Sequence, residues 1–562
     1  MKRIAFAMLV MIGAVPLGGA PASEVSFTDV TVKANVAFVN VNGASPDKHL
    51  PETMGSGGAF VDLDSDGWVD IVIVDGGSIA DPQVARRAQP HVLRNRRDGT
   101  FEDVTARSGI RQRGYGMGVC AGDVDNDGHV DLYITGVESN TLYKNRGDFT
   151  FVDVTASAGV AGGGWSTSCA FADLDGDGDL DLFVTRYVDL SRPEPFCGDE
   201  RAKRRAYCHP LALPPMSNLV FRNDGHGVFT DVSESTGIAK YRSNGLGVVI
   251  SDLDGNGFPD VFVANDSLPN FLFVNDGGWR FTESALQAGV SVADDGKARA
   301  GMGVDTGDYD GDGLLDLIVT NLDFEMTSLF HNLGKRLFAY ATRESGIGAP
   351  TRPYVGFGAL FLDYDNDTKL DIAIVNGHVM DNTALFRQGS THAQPNLLMH
   401  NEDGRHFRPA GNLPTAGNTP DKVSRGLAAA DFDNDGDLDL LVTNNGDRVD
   451  LLRNDLPAGG TARNALLVQL VSRKSAPNGI GARVIAAVGS RTLVREVKAG
   501  SSYLSQSDTR VHIGLDQAVA AERLEVRWPS GSTDVVRNVA ANQILTIREG
   551  EGIVARKPLN RP

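Results

Sequence analysis

Carboxylates recur at positions 1, 3 and 9 of a nine-residue stretch, with Asp or Asn at position 5, and the chain repeats this stretch seven times. The first copy supplies Asp62, Asp64, Asp66 and Asp70; the second, Asp123, Asp125, Asp127 and Asp131. The third and fourth supply Asp173, Asp175, Asp177 and Asp181, then Asp252, Asp254, Asn256 and Asp260. Asp308, Asp310, Asp312 and Asp316 follow, then Asp363, Asp365, Asp367 and Asp371, and last Asp431, Asp433, Asp435 and Asp439. Alternate carboxylates ahead of a glycine-permitted sharp turn wrap oxygen ligands around a hard cation. Position 7 varies freely, as Trp68, His129, Asp179, Phe258, Leu314, Lys369 and Asp437, which fits a residue that ligates only through its backbone carbonyl. Oxygen donors without a ligating imidazole or thiolate argue against zinc and copper. A flexible loop with many protein oxygens suits Ca2+ better than Mg2+, so up to seven calcium ions are expected. The competing reading, a run of solvated acidic turns, leaves four fixed positions per copy without a cause.

Each loop is followed by an apolar run such as Leu132-Tyr-Ile-Thr135 or Leu182-Phe-Val-Thr185. The ions are therefore expected to staple strands rather than to catalyse. Successive first aspartates are 61, 50, 79, 56, 55 and 68 residues apart, so each unit is one supersecondary module with insertions. Small-residue strands precede the loops, as in Gly116-Met-Gly118, Gly245-Leu-Gly247, Gly301-Met-Gly303 and Gly356-Phe-Gly358. An Asn-marked segment comes later (Leu93-Arg-Asn95, Tyr143-Lys-Asn145), then a Phe-initiated strand at Phe101, Phe151, Phe229, Phe281, Phe338 or Phe407. Four short strands per unit, repeated radially, predict an all-β fold: a seven-bladed β-propeller. The last unit stops at Asn454 without its Phe strand, whereas Phe27-Thr-Asp-Val-Thr31 matches Phe101-Glu-Asp-Val-Thr105. The N-terminal strand is therefore expected to complete the seventh blade.

The sequence divides into a signal peptide at 1–22, a propeller at 23–454, a polar linker at 455–463, a small all-β domain at 464–550 and a tail at 551–562. Lys2 and Arg3, an apolar core from Ile4 to Leu17 and Ala20-Pro-Ala22 carry the signal-peptide reading. No other apolar run has spanning length, so a secreted or periplasmic protein without a membrane span is expected. The chain has 72 acidic and 53 basic residues, a net −19. Much of that acidity is metal ligand, and without a broad basic face nucleic-acid binding is not expected. An oxidising compartment favours pairing the four cysteines. Cys197 with Cys208 and Cys120 with Cys169 is the expected arrangement; the alternative for the second pair is two buried thiols.

The units built on Gly-x-Gly and Asp-x-Asp-x-Asp-Gly-x-x-Asp resemble FG-GAP/VCBS repeats of the integrin-type propeller. From Asn478-Gly-Ile-Gly-Ala-Arg483 to Arg527-Trp-Pro-Ser-Gly531 the chain resembles the ASPIC/UnbV domain. Together they resemble the cartilage acidic protein family, over about residues 25–550. That resemblance implies a calcium-bound extracellular protein with an adhesive or interaction role. The leading expectation is a secreted scaffold or binding protein whose rigid propeller face engages a protein or glycan partner; the oligomeric state stays open. Two departures bear on it: Asn256 lowers the charge of the fourth loop, and Thr368 replaces glycine in the sixth. Insertions at 191–217, 321–327 and 376–395 are the places to seek a partner, the first with a basic tip of Arg201, Lys203, Arg204 and Arg205. The runner-up is an enzyme acting on a polysaccharide or secondary metabolite in the propeller funnel through His378, Asp266 and Asn265. An accessory protein of a biosynthetic or export cluster is a third reading.

Overall fold

A computed structural model describes residues 26–383, 389–413, 420–456 and 463–561. The expected signal peptide and most of the expected linker lie outside them. The fold is all-β, 43% strand against 7% helix, and the helices are single turns between strands.

Every acidic nonapeptide connects the first two strands of a four-stranded antiparallel sheet, and there are seven such sheets. In the first, Gly58–Val61 pairs with Asp70–Ile73, which pairs with His91–Asn95 and then Phe101–Asp103. The first strands of the other six are Tyr115–Gly122, Ser166–Ala172, Gly245–Ser251, Val304–Gly307, Gly356–Leu362 and Ser424–Ala430. The apolar run after each loop is the second strand, buried along its whole length in Asp131–Val137, because sheets cover both of its faces.

The seventh sheet takes its fourth strand from the other end of the chain: Ser26–Asp29 pairs antiparallel with Asp450–Asp455. Thr31 accepts a hydrogen bond from the Leu451 amide at 2.8 Å, just as Thr105 accepts from Val92 at 3.0 Å and Thr155 from Leu142 at 2.9 Å. The shared Phe-x-Asp-Val-Thr stretch thus does the same job in all three places. Each first strand lies beside the first strand of the next sheet, and Ser424–Ala430 lies beside Gly58–Val61. The crowding explains the Gly-x-Gly pattern: a Cβ on Gly303 would sit 2.1 Å from the Phe357 carbonyl oxygen of the next sheet.

Beyond residue 463, eight strands form two further four-stranded sheets. One contains the parallel pair Asn464–Val471 and Gln543–Arg548. The expected tail is instead partly strand: Gly552–Pro558 pairs with Gln543–Arg548. It is an edge strand held by backbone bonds and mostly exposed, so its sequence shows no apolar alternation.

The sequence also gave no sign of the stretch 499–510, which enters the middle of the seven sheets. Carbonyls of Ala499, Leu504 and Gln506 accept from the amides of Phe171, Val119 and Phe60 at 2.9–3.1 Å, while Ser502 and Val304 bond each other. These bonds reach the third, second, first and fifth sheets, and Ser507 Oγ accepts from Ala429 in the seventh at 3.0 Å. Contact is so close that a Cβ on Gly57 would fall 1.6 Å from the Leu504 oxygen. Both expected disulfides form, Cys120–Cys169 joining the first strands of neighbouring sheets and Cys197–Cys208 closing the basic insertion.

Candidate metal centres

Six of the seven loops follow one hydrogen-bond scheme, visible in the first; in the fifth the Asp312 amide donates to Asp310 Oδ1 instead. Asp62 Oδ1 accepts from the Asp66 amide at 3.0 Å and Oδ2 from Gly67 at 2.9 Å; Asp66 Oδ1 accepts from Trp68 at 2.9 Å. These bonds curl positions 1 and 5 around a common centre. Position 4 takes positive φ as Ser65 (56°), Asn126, Asn366 and Asn434 (59° each) or glycine, residues that tolerate the left-handed region. At position 9, Asp70 Oδ1 accepts from the Asn95 amide at 2.8 Å and Oδ2 from Leu63 at 2.9 Å. Ligand atoms of Asp62, Asp64 and Asp66 converge within 4.8 Å, as do those of Asp123, Asp125 and Asp127, and of Asp173, Asp175 and Asp181.

The Asn residues that mark the third strands, noted in sequence only as punctuation, join the loops to one another. Asn145 Nδ2 donates to Val130 O of its own loop at 3.0 Å and to Leu63 O of the preceding loop at 2.9 Å. Asn223, Asn275, Asn332, Asn401 and Asn454 reach back to Val124, Leu174, Leu253, Tyr309 and Tyr364 in the same way. Asn95 reaches Phe432 of the seventh loop at 2.9 Å. Position 2 of every loop is therefore fixed by its neighbour.

The donor set fits a hard cation. Position 3 points one carboxylate oxygen inward without a hydrogen-bond donor in four copies: Asp64, Asp125, Asp365 and Asp433 Oδ1 are buried and unbonded. Leaving a buried acceptor unmet is costly, and a bound cation would meet it. Burial, reinforced by neighbouring carboxylates, pushes these acids up: Asp62 and Asp173 to about 6, Asp131 and Asp308 to about 7. Asp260 and Asp431 rise to about 8 and Asp181 to about 9 for the same reason. A divalent ion would favour their ionised forms.

Two copies depart from oxygen-only surroundings. His331 Nδ1 lies 3.1 Å from Asp316 Oδ1 and 3.5 Å from Asp310 Oδ2; His400 Nδ1 lies 3.2 Å from Asp371 Oδ1. Both precede the marker Asn, where other copies carry Arg94, which pairs with Asp64 at 2.8 Å, or Lys144, which pairs with Asp125. The nonapeptide pattern missed them because they enter from the third strand. Thr368 keeps the sixth loop in register: its amide donates to Asp363 Oδ2 at 2.9 Å, its φ is 81°, and Arg491 holds its hydroxyl at 2.9 Å. That loop is deeply buried, with Asp371 fully enclosed.

Of the residues singled out for an enzymatic reading, His378 and Asp266 line one cavity. Asn265 is turned away from it, donating to Pro269 O at 2.7 Å. The basic tip is partly satisfied within the chain, Arg204 pairing with Asp199 at 3.8 Å and Arg205 with Asp47 at 3.9 Å.

Residues 62–134, 123–184, 252–319, 308–374 and 363–442 match the FG-GAP-like repeat family, and 472–554 match the ASPIC and UnbV domain. Cartilage acidic protein 1 of Xenopus tropicalis is 28% identical over 327 residues, 57% of this chain and 47% of the relative. The Homo sapiens protein of that name is 29% identical over 326 residues, 57% of this chain and 46% of the relative. The chain thus spans about half the length of these curated relatives. An Agrocybe aegerita lectin structure, described as recognising non-reducing terminal N-acetylglucosamine, is 16% identical with a TM-score of 0.38, covering 64% of this chain and 81% of that one.

Proposed function

The chain belongs to the FG-GAP-like repeat family and carries an ASPIC and UnbV domain, and from that premise we propose that it is a calcium-stapled, seven-bladed β-propeller acting as an exported interaction module. The observation that carries the metal is the set of buried, donor-less oxygens at position 3 in four loops. Closure of the ring is supported by the bond from Asn95 to Phe432, which joins first sheet to seventh as the other six Asn residues join neighbours. Two disulfides and curated relatives named for cartilage favour an extracellular setting; among the described residues no helix is long and apolar enough to cross a membrane. The partner we propose is a protein or glycan bound at the face carrying the three insertions.

The test is calorimetric titration of calcium into the chelator-treated mature chain, with Tm followed in parallel. Six or seven ions bound with a large rise in Tm is the expected result. One or two ions with an unmoved Tm would reduce most loops to acidic turns.

A further inference from the structure

The sixth acidic loop does not fit calcium as the others do. In those six, the second carboxylate oxygen at position 9 accepts from the amide at position 2, at 2.8–3.2 Å. In the sixth, no donor among the described residues reaches Asp371 Oδ2, on a residue 0% exposed. Asp365 Oδ1 is a second buried oxygen without a donor, on a residue 5% exposed. An imidazole stands beside both carboxylates: His400 Nδ1 lies 3.2 Å from Asp371 Oδ1 and 3.8 Å from Asp365 Oδ2. One ligand atom from each of the three residues falls within 4.8 Å of the other two. Ligand atoms around a tetrahedral zinc stand about 3.5 Å apart, close to these spacings.

The fifth loop, which also meets a histidine, lacks this arrangement. His331 hydrogen-bonds to Asp316 Oδ1 at 3.1 Å, and the Tyr309 amide donates to Asp316 Oδ2 at 3.2 Å. Among the described residues no carboxylate oxygen of that loop is left buried without a partner.

Charge and ligand count choose the ion. Lys369 pairs with Asp367 inside the sixth loop, and Arg463 with Asp365 Oδ2 at 2.6 Å. The Asp367 and Thr368 amides each hold an oxygen of Asp363 at 2.9 Å, and Arg495 adds positive charge beside it. These partners offset the charge that draws calcium and leave it short of its about six to eight oxygen ligands. What remains is two carboxylates and one imidazole nitrogen, a three-ligand set with an open fourth position of the kind that holds zinc. Imidazole suits zinc, whereas calcium takes oxygen. The argument against zinc from the nonapeptide alone fails here because His400 enters from the third strand. We infer that the sixth loop binds zinc through Asp365, Asp371 and His400, while the other six take calcium. This rests on the reading of the loops as cation sites and changes the ion in one of them.

Elemental analysis tests this on the untagged mature chain, stripped with chelator and then dialysed against excess calcium with a slight excess of zinc. Wild type should retain one zinc and six calcium ions. His400→Arg, which gives the sixth loop what the first has in Arg94, should retain the calcium and no zinc. His331→Arg should keep its zinc. Should His400→Arg fail to fold, zinc-edge X-ray absorption of the wild-type protein decides: imidazole scattering is expected, and a shell of oxygen alone would overturn the inference. So would absence of zinc from wild type, its retention by His400→Arg, or its loss from His331→Arg. Counting both metals keeps the two readings apart: calcium without zinc overturns only this inference, and zinc without calcium only the calcium staples.

Discussion

At the scale of single residues, position 6 of the loop isolates the cost of one backbone conformation. Thr368 holds φ at 81° where six copies have glycine at 88–96°. A β-branched residue there stores about 1–3 kcal/mol of strain, offset by its bond to Arg491. Thr368→Gly should therefore raise stability by about 1 kcal/mol in chemical denaturation. The converse, Gly128→Thr, puts a Cβ into open space at φ 89° and should cost about 1–3 kcal/mol from conformation alone. The acids make a second residue-scale statement. Their folded values, about 6 to 9, lie above the unfolded value of about 4, so between those limits the folded chain binds more protons. Stability of the chelator-treated protein should accordingly fall as pH rises from about 5 to 8. In calcium, protons compete with the ion and the trend should vanish or reverse. Melting curves at pH 5, 6.5 and 8, with and without chelator, check both signs; parallel trends would mean that the loops hold no ion.

Elements show what the sequence could and could not convey. The acidic loops, apolar second strands and Phe strands were legible because each is a side-chain pattern with a period. The marker Asn was visible but mute: its role lies in a bond to a neighbouring sheet, and linear spacing cannot show which loop will stand opposite. His331 and His400 were hidden for the same reason, entering the fifth and sixth loops from a separate strand. The stitch itself is testable. Asn145 is fully buried and satisfies two carbonyls, Leu63 O and Val130 O. Asn145→Ala would leave both unmet and should cost about 2–4 kcal/mol. A change below about 0.5 kcal/mol in calcium-saturated denaturation would show that neighbouring loops are not joined through it.

At the scale of the whole molecule the sequence suggests two bodies joined by a linker, whereas the bonds make them one. Ala499, Ser502, Leu504, Gln506 and Ser507 bond to five of the seven sheets, chiefly through backbone atoms, and backbone bonding leaves no pattern of side chains to read. One apolar cluster runs from Tyr133 and Leu182 of the second and third sheets into Leu466, Val484 and Trp528 beyond residue 463. Arg510 donates to Asp431 O and Asn434 Oδ1 of the seventh loop at 2.9 and 2.7 Å, and His512 Nε2 meets Gly436 O at 2.9 Å. The C-terminal sheets therefore rest on the loops that would hold the ions, so loss of either part exposes the core of the other. Such an arrangement should unfold in one transition, with amide exchange in 464–548 and in the seven first strands lost together. Gly57→Val, which drives a side chain into the Leu504 carbonyl, should lower that single transition for both parts. If the variant instead releases exchange only beyond residue 463, leaving the first strands protected, the central segment is a passenger and the sheets close without it.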